Sequence, residues 1–172
     1  MSEAPPSGNK RQRFDYKGTH RYLITLPVPA SRKVFTGRER VVRVLDILRE
    51  VCWARRFDVY AYCFLPDRLI LIIRGRSEES DMRSFLTDFR EQSSAALASE
   101  LLHPLWKRTY LERVLRKTED SRRIAQDVFR LPVKSGLASD PESYPFQGSF
   151  VVSLVSFKGG QRGSSPNTPA SR

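Results

Sequence analysis

Cations and aromatic rings able to grip a nucleic-acid strand crowd one stretch of this chain, Trp106 to Lys117. Trp106, Lys107, Arg108, Tyr110, Arg113, Arg116 and Lys117 interleave phosphate-binding charge with rings on which bases stack. Proteins hold single strands by that combination. Arg32, Lys33, Arg74, Arg76, Arg122 and Arg123 add further candidate phosphate contacts. Trp106 also reads as a core anchor, and each arginine as part of a solvated face. Carboxylates offer a different chemistry, in which Asp67, Glu112 and Asp127 surround a magnesium ion, although no diagnostic spacing joins them. His20 and His103 are the only histidines and do not form an alternating ligand pair. Tyr110 is the nearest candidate nucleophile, although it reads better as a structural ring. Cys52 and Cys63 lie among apolar neighbours and read as small buried hydrophobes, not as a disulfide or ligands.

Charge narrows the partner class. With 30 Lys and Arg against 19 Asp and Glu, the 172 residues carry a formal +11. Such an excess favours a polyanion, because each phosphate neutralised releases counterions. No apolar run is long enough to span a bilayer, and the polar N-terminus lacks a hydrophobic signal region. A cytoplasmic protein without a membrane partner is therefore expected. Length suits one domain over residues 19–157. Basic, Pro/Ser/Gly-rich tails are expected to be disordered over 1–18 and 158–172, since they hold too little apolar surface to offset chain entropy.

The elements that must position these residues follow from periodicity. Arg21 to Leu26 predicts a strand, and Arg38 to Arg56 a helix with Val41, Val44, Leu45, Leu48 and Cys52 on one stripe. Asp58 to Phe64 and Arg68 to Ile73 predict the two strands of a hairpin. Tyr60 and Tyr62 then share one sheet face, and Trp53, Phe85 and Phe89 fit helix core faces. A second helix is predicted from Ser80 to Leu102, stopped by His103-Pro104. Leu111 to Leu115 predicts a strand. Thr118-Glu119-Asp120 caps a helix over Ser121 to Arg130, which Pro132 ends. The order β-α-β-β-α-β plus a C-terminal helix predicts a ferredoxin-like or RRM-like α+β fold, an antiparallel sheet with helices on one face.

The hairpin itself reads Cys63-Phe64-Leu65-Pro66-Asp67-Arg68-Leu69-Ile70-Leu71-Ile72. It resembles the metal-binding hairpin of single-tyrosine HUH transposases, above all the REP-associated tyrosine transposases, which have Met-Pro-Asn-His-x-His there. Four further stretches resemble that family in the right order: Tyr22-Leu23-Ile24-Thr25; Lys33-Val34-Phe35; Leu105 to Tyr110 with Glu112 to Arg116; and Pro132 to Leu137 with Asp140 to Pro145. The resemblance runs from about Tyr22 to about Phe146. It implies the HUH-nuclease fold, recognition of hairpin DNA, and members that dimerise. It also implies cleavage of single-stranded DNA, in which a tyrosine attacks the phosphodiester while two histidines hold magnesium or manganese.

By the same resemblance the two histidine positions fall on Arg68 and Ile70, the tyrosine position on Asp127 and the metal-helper position on Leu131. Arg68 cannot lose its proton and so cannot ligate. Ile70 and Leu131 have no donor atom. Asp127 carries a carboxylate, a poor nucleophile that a phosphate repels. No catalytic residue and no metal or other cofactor is therefore assigned, and an Arg68–Asp127 ion pair is expected to fill the space. The sequence points to a catalytically silent, transposase-like domain that binds single-stranded or hairpin DNA, with a homodimer as a further candidate assembly. Two alternatives stand beside it: an active transposase or nuclease with an unrecognised site, and an interaction module without nucleic acid.

Overall fold

The computed structural model describes residues 14–151. Five strands form one sheet: β1 (Arg21–Pro27), β2 (Phe57–Leu65), β3 (Arg68–Gly75), β4 (Leu111–Leu115) and β5 (Gln147–Gly148). Their order is β4-β1-β3-β2-β5, and each neighbouring pair is antiparallel. Helix α1 (Arg38–Arg55) connects β1 to β2, α2 (Met82–Leu97) connects β3 to β4, and α3 (Ser121–Phe129) and the one-turn α4 (Leu131–Lys134) follow β4. This is the predicted ferredoxin-like plan with one short strand added at an edge.

Local chemistry sets the element ends. Asp81 caps α2 by accepting from the Arg83 and Ser84 amides at 2.9 and 3.2 Å. Asp120 caps α3 by accepting from Arg122 at 2.8 Å. Each cap satisfies amides that the helix leaves unpaired. Helix α2 stops at Leu97, short of the predicted Leu102. Arg40 and Arg43 of α1 capture Glu100, and Arg43 takes the Ala96 carbonyl, so the chain is drawn aside there. Leu102, 96% exposed, has no apolar surface to join. Pro132 does not simply end a helix: it sits in the first turn of α4, where its missing amide costs nothing.

Both faces of the sheet are covered. On one, Tyr22, Ile24 and Leu26 of β1 and Leu69, Leu71 and Ile73 of β3 pack with Val44, Leu48, Phe85 and Phe89 from α1 and α2. On the other, Ile70 and Ile72 join Ala61, Cys63 and Leu65 against Ala125, Val128 and Phe129 of α3. The added C-terminal helix thus lies across the sheet from α1 and α2. Burial on both sides explains why Leu69 to Ile73 is apolar without alternation.

A bulge at Tyr60 revises the reading of β2. Val59 pairs with Ile73 but Ala61 with Ile72, leaving Tyr60 as the extra residue. Past it the faces exchange. Tyr60 packs on the α3 side and Tyr62 on the α1/α2 side, so the two rings do not share a face. Trp53 also departs from expectation: it is 78% exposed rather than core, with the Arg76 guanidinium 5.8 Å above its ring. Cys52 and Cys63 are buried free thiols, and burial pushes each up to about 12.

The N-terminal tail, expected to reach residue 18, is tied down before that. Tyr16 accepts the Met82 amide at 3.1 Å, and the Gly18 amide donates to Ser80 at 2.9 Å. Residues 1–13, the predicted C-terminal tail and the last stretch of the predicted domain lie outside the described residues. Among the described residues no helix is long and apolar enough to cross a membrane.

Candidate nucleic-acid interface

Strand alternation turns Arg68 and Ile70 toward α3, and one helical turn separates Asp127 from Leu131. The fold brings all four to one cleft of about 370 Å³ between the sheet and α3, completed by Thr25, Arg113 and Lys134 among others. The four positions picked out by resemblance are thus neighbours. The expected Arg68–Asp127 pair is not formed. Arg68 instead donates to both oxygens of Asp67, at 2.9 and 3.3 Å, while Asp127 lies 3.8 Å from Arg130 one turn along. The adjacent turn carboxylate reaches the guanidinium without crossing the cleft, and Asp127 stays exposed at the rim.

The cleft does not fit a divalent cation. Its lining offers one carboxylate, Asp127, set among Arg68, Arg113 and Lys134. The alternative trio of Asp67, Glu112 and Asp127 is divided by the sheet. Glu112 stands opposite Ile24, whose side chain faces α1 and α2, and it accepts from the Tyr16 phenol there. Among the described residues no three His, Cys, Asp or Glu side chains cluster to hold a metal. Tyr110 packs beside Arg90, whose guanidinium is 5.7 Å from its ring. Burial first, then Glu112, raises its phenol above the ordinary range, which opposes a role as a ready nucleophile. His20 packs on Phe14 at the start of β1, and His103 borders a different loop.

The cationic candidates divide into two groups. Arg74, Arg76, Arg116, Lys117, Arg122 and Arg123 lie toward the end of the sheet where β1 begins, since Arg21 pairs with both Arg74 and Leu115. Arg21 also ties that end together, donating to the Arg116 and Glu119 carbonyls at 2.6 and 3.0 Å. Arg32, Lys33, Lys107 and Arg108 lie at the hairpin end with Arg68, which pairs with Pro27. Arg113 stands between the groups, neutralised by Glu119.

At the hairpin end three clefts run into one another. The α3 cleft shares Thr25 and Arg68 with a second of about 390 Å³ over the β2–β3 turn. That one shares Lys107 with a third of about 480 Å³ beside Pro29 and Pro104. Lys134, Arg113, Arg68, Lys107, Arg108 and Arg32 line this track. Its continuity is invisible to local pattern, because its cations come from five separate segments. Trp106 is not a stacking platform. It is 5% exposed, packs on Phe35 and Phe89, and its indole donates to Ser93 at 2.8 Å.

No family description and no curated protein matches the sequence. Solved structures do match the fold. A REP-associated tyrosine transposase, solved bound to a REP hairpin, superposes with a TM-score of 0.67 at 22% identity. The match covers 86% of this chain and 82% of that one. A Deinococcus radiodurans R1 protein assigned as a transposase gives a TM-score of 0.49 at 18% identity, over 75% of this chain and 97% of that one.

Proposed function

From this transposase-like fold we propose a DNA-binding domain that holds hairpin DNA with its unpaired flank and does not cut it. One observation carries the reading: Arg68, Ile70, Asp127 and Leu131 converge on a single cleft with side chains that can neither grip a cation nor attack phosphorus. The convergence supports reading this cleft as the place where the resembled chemistry would occur. Arginine remains protonated, the two aliphatic residues offer no lone pair, and a carboxylate among phosphates is repelled.

Binding survives such losses, because phosphate contacts need charge and shape alone. The linked clefts support it with six cations against Asp67 and Asp127. A strand lying along them would meet cations throughout, and a paired stem could rest beyond either end.

The test incubates the full chain with labelled hairpin DNA carrying single-stranded flanks, with magnesium or manganese present. A salt-sensitive shift on a native gel, with intact DNA and no protein adduct on a denaturing gel, is expected. A covalent DNA adduct overturns the silent part of the reading, and absence of any shift at low salt overturns the binding part. Nicking that vanishes in an Asp127→Ala chain would assign the cleft an enzymatic role instead.

A further inference from the structure

The third cleft of the track differs from the other two in its walls. Pro29 and Ala30 come from the turn after β1, and Pro104 and the edge of Trp106 from the loop before β4. These are nearly all apolar, whereas Arg32, Lys107 and Arg108 supply the charge around them. We infer that this cleft takes one unstacked nucleobase of the bound strand, with the rim cations on its flanking phosphates. The inference rests on the DNA-binding reading above and adds a place where the strand is gripped by a base as well as by its backbone.

Three observations support it. First, the walls are fixed to each other before any ligand arrives. The Arg32 guanidinium donates to the Pro29 carbonyl at 3.3 Å and to the Pro104 carbonyl at 2.8 Å, bridging the two loops. The Lys107 amide donates to Pro27 at 2.8 Å, closing the same seam from behind. A preformed slot loses less freedom on binding than one that must be assembled. Arg32 still has guanidinium N–H groups outside these two bonds for a phosphate.

Second, the backbone of one wall is held in an unfavourable form. Ala30 and Ser31 have φ of 55° and 50°, the left-handed region that residues with a Cβ avoid. Such backbone persists where the surroundings impose it, and it often accompanies a binding function. Third, the chemistry matches the ligand class. A base offers a flat, weakly polar face to the Pro29, Ala30 and Pro104 walls, and its attached phosphates are anionic. A wholly apolar ligand would leave the three cations idle, and a bare phosphate would leave the apolar walls unused. Continuity through Lys107 with the cleft over the hairpin turn sets the strand's direction of entry.

The experiment uses the full chain and a fluorescein-labelled hairpin with a short single-stranded flank, read by anisotropy. Flank nucleotides are replaced one at a time by an abasic unit, which keeps the phosphates and removes the base. One position should lose several-fold in affinity, up to about tenfold, the low end for a base stacked on an aromatic ring, while its neighbours change little. Ala30→Asp keeps a residue that tolerates the left-handed turn and places bulk and negative charge in the slot. It should weaken the intact flank and erase the difference between base and abasic unit, with an unchanged melting temperature. Lys33→Ala, in the same loop but outside the cleft, should preserve that difference. Equal affinity for every abasic series member overturns the base slot and leaves hairpin binding standing. Failure to bind any hairpin overturns both.

Discussion

Replacing Asp67 by Asn should tighten DNA binding, although it removes an ion pair. Arg68 spends its charge on Asp67 through two hydrogen bonds, at 2.9 and 3.3 Å. Arg113 is likewise neutralised by Glu119. Arg32, Lys107, Arg108 and Lys134 have no carboxylate partner within ion-pair reach among the described residues. On a single strand each neutralised phosphate contributes about 0.7 to the slope of log affinity against log salt, so four free cations give a slope of roughly 3. Freeing Arg68 should raise that slope by about 0.7 and the affinity about fourfold near 0.15 M salt. The fold should hardly notice. The pair is solvent-accessible, a class worth about 0–1 kcal/mol, and the Asp67 carbonyl that accepts the Val28 amide at 2.8 Å is untouched. Anisotropy titrations of a labelled hairpin from about 50 to 200 mM salt measure both quantities. Glu50→Gln, an equal charge change on the exposed face of α1, controls for net charge and should have the smaller effect. If Asp67→Asn binds no tighter than that control and keeps the parental slope, the strand does not cross the hairpin turn.

Two stability predictions accompany it. Cys52 and Cys63 ionise near 9.0 when free but at about 12 when folded, so their stabilisation is complete below pH 9 and is lost as pH climbs toward 12. The loss should approach about 1.4 kcal/mol per pH unit for each thiol, seen as a urea midpoint that falls between pH values of about 8 and 10 more steeply than in a Cys52→Ala/Cys63→Ala chain. Gly148→Ala would set a Cβ 2.5 Å from the Tyr62 hydroxyl and 2.8 Å from its ring carbon. It should cost about 1–3 kcal/mol by overpacking, partly recovered by Tyr62→Phe in the same chain, and an unaltered melting temperature would contradict the contact.

Periodicity located the strands and helices well, because their signals are local. β4 has the predicted bounds Leu111–Leu115, and α1 begins at the predicted Arg38. What it could not reach depends on residues far apart in sequence. The end of α2 depends on Arg40 and Arg43 reaching back from α1, and nothing between Leu97 and Leu102 announces that. The side of the sheet that α3 covers is equally hidden: an amphipathic stripe says that a face is buried, not against what. Resemblance picks out Arg68, Ile70, Asp127 and Leu131, two pairs far apart in sequence, and the fold lines one cleft with all four. Resemblance places Asp127 opposite Arg68, but it carries no information about Asp67, the immediate neighbour whose carboxylate reaches the guanidinium first. Trp53 looked like core because its helix carries an apolar stripe, yet it falls just outside that stripe.

The extra residue at position 60 makes one strand answer to two masters. Upstream of it Phe57 and Val59 feed the layer under α1 and α2. Downstream, Ala61, Cys63 and Leu65 feed the layer under α3, while Tyr62 and Phe64 return to the first. A deletion that healed the irregularity would therefore not be a local repair. It would slide half the strand by one rung and turn two hydrophobic layers inside out at once, including the wall that carries the hairpin turn. Length at this point is as strictly specified as side-chain identity anywhere in the molecule.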